Sequence, residues 1–402
     1  MSSSSSSTAA PSPAIQSILP RLAAVRAHLA PPNPTTARNL ASAALTSSTK
    51  PTSTINMAKD KVAIIGSGNW GSAIARIAGQ NVVKHSDVFE SSRVPLWVFE
   101  EMIDGKKLTD IINTTHINVK YLPDIPLSDN VVAIPDIAKA VEGATALVFV
   151  MPHQFLAKAL DAIEGHVAPG AKAISLIKGV DVHGSDIHIF ADVIEKRLGI
   201  SCSALSGANI ASEVALERFS ETTVGYRKDK EDEGLLWQKL FETPKFRVQL
   251  IEDVDGVSLC GALKNVVAVA AGLSDGLGYG NNTKSAIMRI GLLETKNFCL
   301  EFFNDVKPET FLQESAGVAD LITSCLGGRN RKTAEAFVTT GKPFDVLERE
   351  MLGGQKLQGI HTAMDVHNFL KARNRLGAYP LFDKVYHICW DGLAADTLTD
   401  GL

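Results

Sequence analysis

Acidic residues are absent from the first 59 positions, although 44 Asp and Glu follow. That stretch carries Arg21, Arg26, Arg38, Lys50 and Lys59 among Ser, Thr, Ala and Pro, with serines running from Ser2 to Ser7. Such a composition cannot bury enough apolar surface to offset chain entropy, so residues 1–59 are expected to form a disordered extension. Cysteine is scarce. The five present (Cys202, Cys260, Cys299, Cys325 and Cys389) are odd in number, scattered and without a C-x-x-C pair. This argues against a disulfide framework or thiolate metal site and for a reducing compartment, with the thiols acting as small buried apolar groups. No His/Cys/Asp set stands at ligand spacing, so no metal is expected. No apolar run approaches the roughly 18 residues that span a bilayer, and no membrane span is expected. There is no internal repeat. From Asp60 onward, 35 Lys and Arg face 44 acids, a formal charge of −9. So acidic a body is a poor polyanion binder, which excludes nucleic acid as a natural partner and makes any phosphate site local.

What is present begins with the extension itself. An acid-free, Ser- and Arg-containing N-terminus suits a targeting segment. Within it, Arg21-Leu22, five residues, then His28-Leu29 resembles the N-terminal peroxisomal targeting nonapeptide, and Pro20 suits the first turn of a short helix. Mitochondrial import is the alternative address for this composition. Met57-Ala58-Lys59 would make a natural start for a compact enzyme.

At 402 residues, two packed domains are expected. Val62–Ile65 is a β-branched apolar run of the kind buried on both faces of a parallel sheet. Further strands are expected at Pro95–Phe99, Val131–Ile134, Ala146–Met151 and Ala173–Ile177, separated by helical stretches. The pattern predicts a doubly wound α/β Rossmann domain over residues 60–250. Beyond Asp253 the strand signal fades, and residues 251–402 are expected to form an all-α domain.

The first strand runs into Gly66-Ser67-Gly68-Asn69-Trp70-Gly71 and then a helix, the setting in which G-x-G-x-x-G reads as a dinucleotide site. Gly66 serves the tight turn, Gly68 the approach of a diphosphate, and Gly71 close helix–strand packing. The diphosphate would sit on free N–H groups at the helix N-terminus. A glycine-rich turn without a ligand is the plain alternative. Glu100, after the second strand, is placed to accept from the adenosine ribose, though further along than the usual ~20 residues, and favours NAD over NADP.

Three later groups carry chemistry. Gly261–Gly272 reads as a helix apolar all round, with Lys264 and Asn265 its only strongly polar side chains. A lysine there needs partners or lines a cleft, and desolvation lowers its pKa towards the range of proton transfer; the alternative is a lysine that snorkels to the surface. Asp320 and Gly327-Gly328-Arg329-Asn330-Arg331-Lys332 combine free N–H groups with an Arg fork suited to a phosphate ester, or form a solvated basic turn. Gly353-Gly354-Gln355-Lys356-Leu357-Gln358-Gly359 is a Gly-bounded polar loop able to close over a ligand.

Together with Pro152-His153-Gln154-Phe155, Ser175-Leu176-Ile177-Lys178-Gly179 and Gly207-Ala208-Asn209-Ile210-Ala211, these motifs resemble the soluble eukaryotic NAD-dependent glycerol-3-phosphate dehydrogenases. The resemblance spans about residues 57–395. It implies that Gly66, Ser67, Gly68, Asn69, Trp70 and Gly71 cradle NAD, with Phe99, Phe155, Ala211 and Lys178 also contacting the cofactor. Lys178 and Lys264 would lie at the substrate, Lys264 as general acid/base, with Asn265, Asp320 and Ser324 orienting that site. Relatives carry Thr where Ser324 stands, which keeps the hydroxyl. Arg329 and Asn330 would bind the substrate phosphate, Arg329 facing the cofactor as well, while Lys356 and Gln358 belong to the closing loop. The implied reaction exchanges hydride between NADH and C2 of dihydroxyacetone phosphate. In it, Lys264 protonates the forming alkoxide and Lys178 and Asn265 polarise the carbonyl. A homodimer is implied. A related two-domain hydroxy-acid or sugar-acid dehydrogenase is the rival that the fold alone leaves open.

Overall fold

The computed structural model describes residues 58–183 and 186–402; residues 1–57 of the expected disordered extension, with the Arg21–Leu29 motif and the start at Met57, lie outside them. Lys59–Leu402 form one compact unit.

Eight strands share one sheet: β1 (Val62–Ile65), β2 (Val94–Trp97), β3 (Val131–Ile134), β4 (Ala146–Phe149), β5 (Lys172–Ser175), β6 (Ser201–Ser206), β7 (Ser220–Gly225) and β8 (Phe246–Ile251). Their order is β8-β7-β6-β5-β4-β1-β2-β3. From β3 to β6 all neighbours are parallel, β6 meets β7 antiparallel, and β7 meets β8 parallel. Six strands therefore follow the doubly wound order with its switch point between β1 and β4, extended by a reversed pair at one edge.

β1 is buried throughout because it faces apolar layers on both sides. Val62 and Ile64 join the cluster containing Ile74, Ala78 and Trp237, from helices α1 (Asn69–Lys84) and α7 (Glu231–Phe241). Ala63 and Ile65 join the opposite cluster with Leu160 and Ile194, from α4 (Leu156–Ile163) and α5 (Phe190–Leu198). Between these helices in the chain lie α2 (Leu108–Thr115), α3 (Ile137–Val141) and α6 (Ala211–Ala215).

The last strand ends at Ile251, and every later regular element is helical. The axis of this part is α8 (Val254–Gly276), whose N-cap Asp253 accepts from the Gly256 N–H at 2.7 Å and the Lys307 N–H at 3.0 Å. Around it stand α9 (Asn281–Phe302), α10 (Pro308–Leu312), α11 (Asp320–Leu326), α12 (Arg329–Thr340), α13 (Phe344–Leu352), α14 (Gln358–Ala372) and α15 (Pro380–Trp390).

α8 is by length and composition apolar enough to cross a bilayer, although Lys264 and Asn265 interrupt its apolar residues. It is buried inside the protein, as a core helix is. The strands expected at 95–99, 146–151 and 173–177 end two residues early. Val98, Val150 and Leu176 still donate to Ile134, Ile65 and Phe149 of the neighbouring strands, and the chain leaves the sheet after them, at its carboxyl edge.

Candidate active site

The glycine turn sits at the switch point. Gly66 has φ +121°, a conformation that disfavours any side chain, and an added Cβ would lie 2.5 Å from the Val150 carbonyl oxygen. A Cβ on Gly71 would lie 2.1 Å from the Gly66 oxygen, so helix and turn touch only because both residues are glycine. Gly68, the N-cap of α1, faces open space and offers no side-chain cap. The first-turn N–H groups of α1 therefore point into the crevice without a helical partner. The side chains of this turn are committed elsewhere. Asn69 Nδ2 donates to the Tyr121 carbonyl at 2.7 Å, and the Trp70 ring meets Phe246 edge-on at 6.1 Å. The Ser67 carbonyl accepts from Ser72 Oγ and Asn118 Nδ2. Two large rings beyond the ends of β2 and β4 stay exposed, Phe99 at 70% and Phe155 at 52%, and Ala211 opens α6. A cradle with free N–H groups and stacking surfaces fits a dinucleotide.

Glu100 has a local part in the fold. Its carboxylate accepts from the Thr109 N–H at 3.2 Å and the Thr109 hydroxyl at 2.6 Å, holding the start of α2.

Lys264 lies in the middle of α8, 6% exposed, its ammonium paired with the Asp320 carboxylate. Asp320, 3% exposed, opens α11 directly after a single π-helical turn, Ser315–Ala319, the kind of helical irregularity often found at functional sites. Its other oxygen lies 3.5 Å from Ser206 Oγ, at the end of β6. Burial is the main force lowering the Lys264 pKa, the positive charge of Lys178 adds to it and Asp320 opposes both, leaving the ammonium at about 8. The snorkelling alternative is thereby set aside. Lys178, exposed beyond β5, is close enough for that repulsion to register.

Asn265 is half-buried and spoken for. Its Nδ2 donates to the Gly261 carbonyl at 3.2 Å, and its Oδ1 accepts from Asn330 Nδ2 at 2.9 Å. Asn330 Oδ1 in turn accepts from the Gly359 N–H at 2.9 Å. Gly359 is close enough to α8 that a Cβ would lie 2.4 Å from the Asn265 backbone carbonyl oxygen. One hydrogen-bonded chain thus ties α8, α12 and α14 together around the basic turn. Arg329 is exposed at the first position of α12, whose N-cap Gly328 leaves the helix N-terminus without a side-chain cap, and Ser324 lies half-buried on α11 just before it.

Arg329 Nη1 donates to Gln355 Oε1 at 2.6 Å, joining the phosphate candidate to the Gly353–Gly359 loop. Sequence reading missed both Gln355's partner and Glu348. Glu348, 4% exposed on α13, accepts from the Leu357 N–H and from Lys356 Nζ, both at 2.9 Å. Lys356 thus rests on Glu348, while Gln358 is exposed at the start of α14. Only a buried glutamate ten residues before an exposed glutamine could have signalled this anchor, and that pattern is not distinctive.

A β3-β2-β1-β4-β5-β6 order with a glycine turn at its switch point defines a dinucleotide-binding α/β protein, here with a helical part that carries a buried lysine. Comparison with known proteins narrows the class. The N-terminal profile of the NAD-dependent glycerol-3-phosphate dehydrogenases matches residues 61–232 and the C-terminal one residues 253–400. The chain is 54% identical over 339 residues to the cytoplasmic NAD(+) glycerol-3-phosphate dehydrogenase of Mus musculus, covering 84% of this chain and 95% of the relative. Its Homo sapiens counterpart is 53% identical over 337 residues, with the same coverage. The solved glycerol-3-phosphate dehydrogenase of Saccharomyces cerevisiae superposes with a TM-score of 0.82 at 47% identity, covering 85% of this chain and 99% of that one. The chain belongs to the NAD-dependent glycerol-3-phosphate dehydrogenase family.

Proposed function

We propose that this chain interconverts sn-glycerol 3-phosphate and dihydroxyacetone phosphate with NAD, the Lys264 side chain carrying the proton. The observation that carries the reading is the buried Lys264–Asp320 pair on the helix facing the nucleotide fold, with an Arg-bearing helix N-terminus alongside. In this reading residues 60–250 hold the cofactor and residues 251–402 the substrate. Bound NAD supplies or accepts the hydride.

The remaining tasks fall to the protein. The turn at Gly66, Ser67, Gly68, Asn69, Trp70 and Gly71 offers backbone N–H groups to the pyrophosphate, while the exposed rings of Phe99 and Phe155 give it apolar cover. Lys264 delivers its proton to the oxygen on C2 during reduction and takes it back during oxidation. Lys178 places a second positive charge at that oxygen. Asn265 and Asp320 hold Lys264's surroundings, and Ser324 lines the same wall. Arg329 and the free N–H groups of Arg329 and Asn330 receive the phosphate, which suits both the fork and the helix dipole. Lys356 and Gln358 cover the site from the closing loop, with Glu348 as its anchor.

An NADH oxidation assay comparing dihydroxyacetone phosphate with unphosphorylated dihydroxyacetone tests this. Strong preference for the phosphorylated ketone is expected, whereas equal rates, or preference for a hydroxy-acid partner, would overturn it.

The lysine sets a pH signature. Reduction needs the ammonium and oxidation the free amine, so kcat/KM for reduction should fall as pH rises through about 8. For oxidation it should rise over the same interval. Flat profiles in both directions between pH 6.5 and 9.5 would remove Lys264 from proton transfer.

The relatives named as cytoplasmic support that compartment for the enzyme body, and the acid-free extension adds an address to it. We infer a peroxisomal one. A fusion of residues 1–40 to a fluorescent protein should enter peroxisomes and stay in the cytosol when Arg21 and His28 are changed together. Mitochondrial import that survives the change would show the nonapeptide match to be chance. A homodimer completes the proposal, measurable as solution mass.

A further inference from the structure

The sequence showed no His/Cys/Asp set at ligand spacing, yet the fold assembles one. His367, on α14, and Asp383 and His387, one turn apart on α15, bring two ring nitrogens and a carboxylate oxygen within 4.8 Å of one another. They converge from two packed helices, so the i,i+4 spacing of Asp383 and His387 could not by itself reveal the third member. We propose that these three side chains form a divalent transition-metal site that staples α14 to α15.

Four observations carry this. His367 is 5% exposed, and its ring is held face to face with Tyr386 at a centroid distance of 3.7 Å, so its orientation is fixed before any ion arrives. His387 Nδ1 lies 2.7 Å from Asp391 Oδ2. An ionised carboxylate only accepts, so Nδ1 carries the hydrogen, and in the neutral ring Nε2 presents its lone pair. That nitrogen lies 3.5 Å from Asp383 Oδ1. A carboxylate that orients a histidine through its far nitrogen is the usual outer support of a metal-bound imidazole. Finally, Asp383 and His387 are partly exposed, which leaves an ion a path in.

The separations from Asp383 suit a first-row ion. Bonds of about 2.0–2.2 Å in a tetrahedral site put ligand atoms roughly 3.3–3.5 Å apart. The Asp383–His387 separation already has that value. His367 Nδ1 and Asp383 Oδ1 are 2.9 Å apart, a direct hydrogen bond, and would part by a few tenths of an ångström as the ion takes the bridging place. The proton of His367 then resides on Nε2 of the neutral ring. Two imidazoles and one carboxylate, with water completing the shell, is a donor set suited to zinc or nickel rather than to magnesium or calcium. His367 lies nine residues, about 14 Å, along α14 from Gln358, so the ion would stiffen the helix behind the closing loop and touch no reacting atom.

The test uses the tag-free full-length chain, stripped with a chelator and titrated with zinc chloride, then nickel chloride, by calorimetry and thermal denaturation. One ion per chain is expected, with a thermal midpoint raised by about 4–8 °C at saturating metal. His387→Gln, a partly exposed change that leaves the fold intact, should abolish both the binding and the rise. Asp391→Asn should weaken binding by about 10–100-fold while leaving the three ligands in place. Absence of saturable binding by either metal overturns the proposal. Binding that His387→Gln leaves unchanged also overturns it, by placing the ion elsewhere.

Discussion

Lys264→Met should lower turnover of dihydroxyacetone phosphate by about 10² or more, the usual scale of a lost general acid, while NADH still binds. The side chain sits 6% exposed in a helix otherwise apolar around it, so methionine fills the space it leaves. The substitution has a second effect that must be separated from the first. It strands the Asp320 carboxylate, 3% exposed with Ser206 Oγ at 3.5 Å as its remaining partner, and an uncompensated buried charge of this kind costs about 3–5 kcal/mol. The thermal midpoint should therefore fall in the single variant. Lys264→Met with Asp320→Asn removes both charges and should recover much of that loss, yet leave turnover as low as before. Recovery of turnover in the double variant, or near wild-type kcat in the single one, would take proton transfer away from Lys264.

Arg329→Ala should act on substrate rather than on the fold. The guanidinium is exposed and bonded to Gln355 at 2.6 Å, so little packing is lost. A charge-assisted bond to phosphate is worth roughly 1.5–3 kcal/mol, so kcat/KM for the phosphorylated ketone should fall about 10- to 150-fold. Activity on unphosphorylated dihydroxyacetone, low in both proteins, should hardly change. Equal losses on the two ketones would assign Arg329 to the cofactor or to the Gly353–Gly359 loop, whose Gln355 it holds.

The difference between Lys264 and Glu348 shows what kind of residue can be read directly. Lys264 stands out because a charge in an unbroken apolar helix is costly, and cost is visible in a string of letters. Glu348 sits in Leu347-Glu348-Arg349-Glu350, where one buried carboxylate cannot be told from its exposed neighbour until Leu357 and Lys356 fold back on it. Glu100, placed after β2 where a ribose acceptor would stand, has a partner that spacing did not show: Thr109, from a helix nine residues on, bonds both its oxygens.

By itself the sequence determined the elements and their chemistry. The Val62–Ile65 run with its glycine turn, the strand-and-helix alternation to about residue 250, the apolar helix bearing Lys264 and the paired glycines before Arg329 are local patterns, set by propensity and desolvation within a few residues. Tertiary structure alone decided who meets whom. It set Lys264 against Asp320 across 56 positions and linked Asn265 to Asn330 and Gly359. It also reversed the edge strands β7 and β8 and brought His367 to Asp383 and His387. Those pairings depend on which faces of helices come to rest together, a global balance of buried area and satisfied polar groups that no short stretch of chain contains.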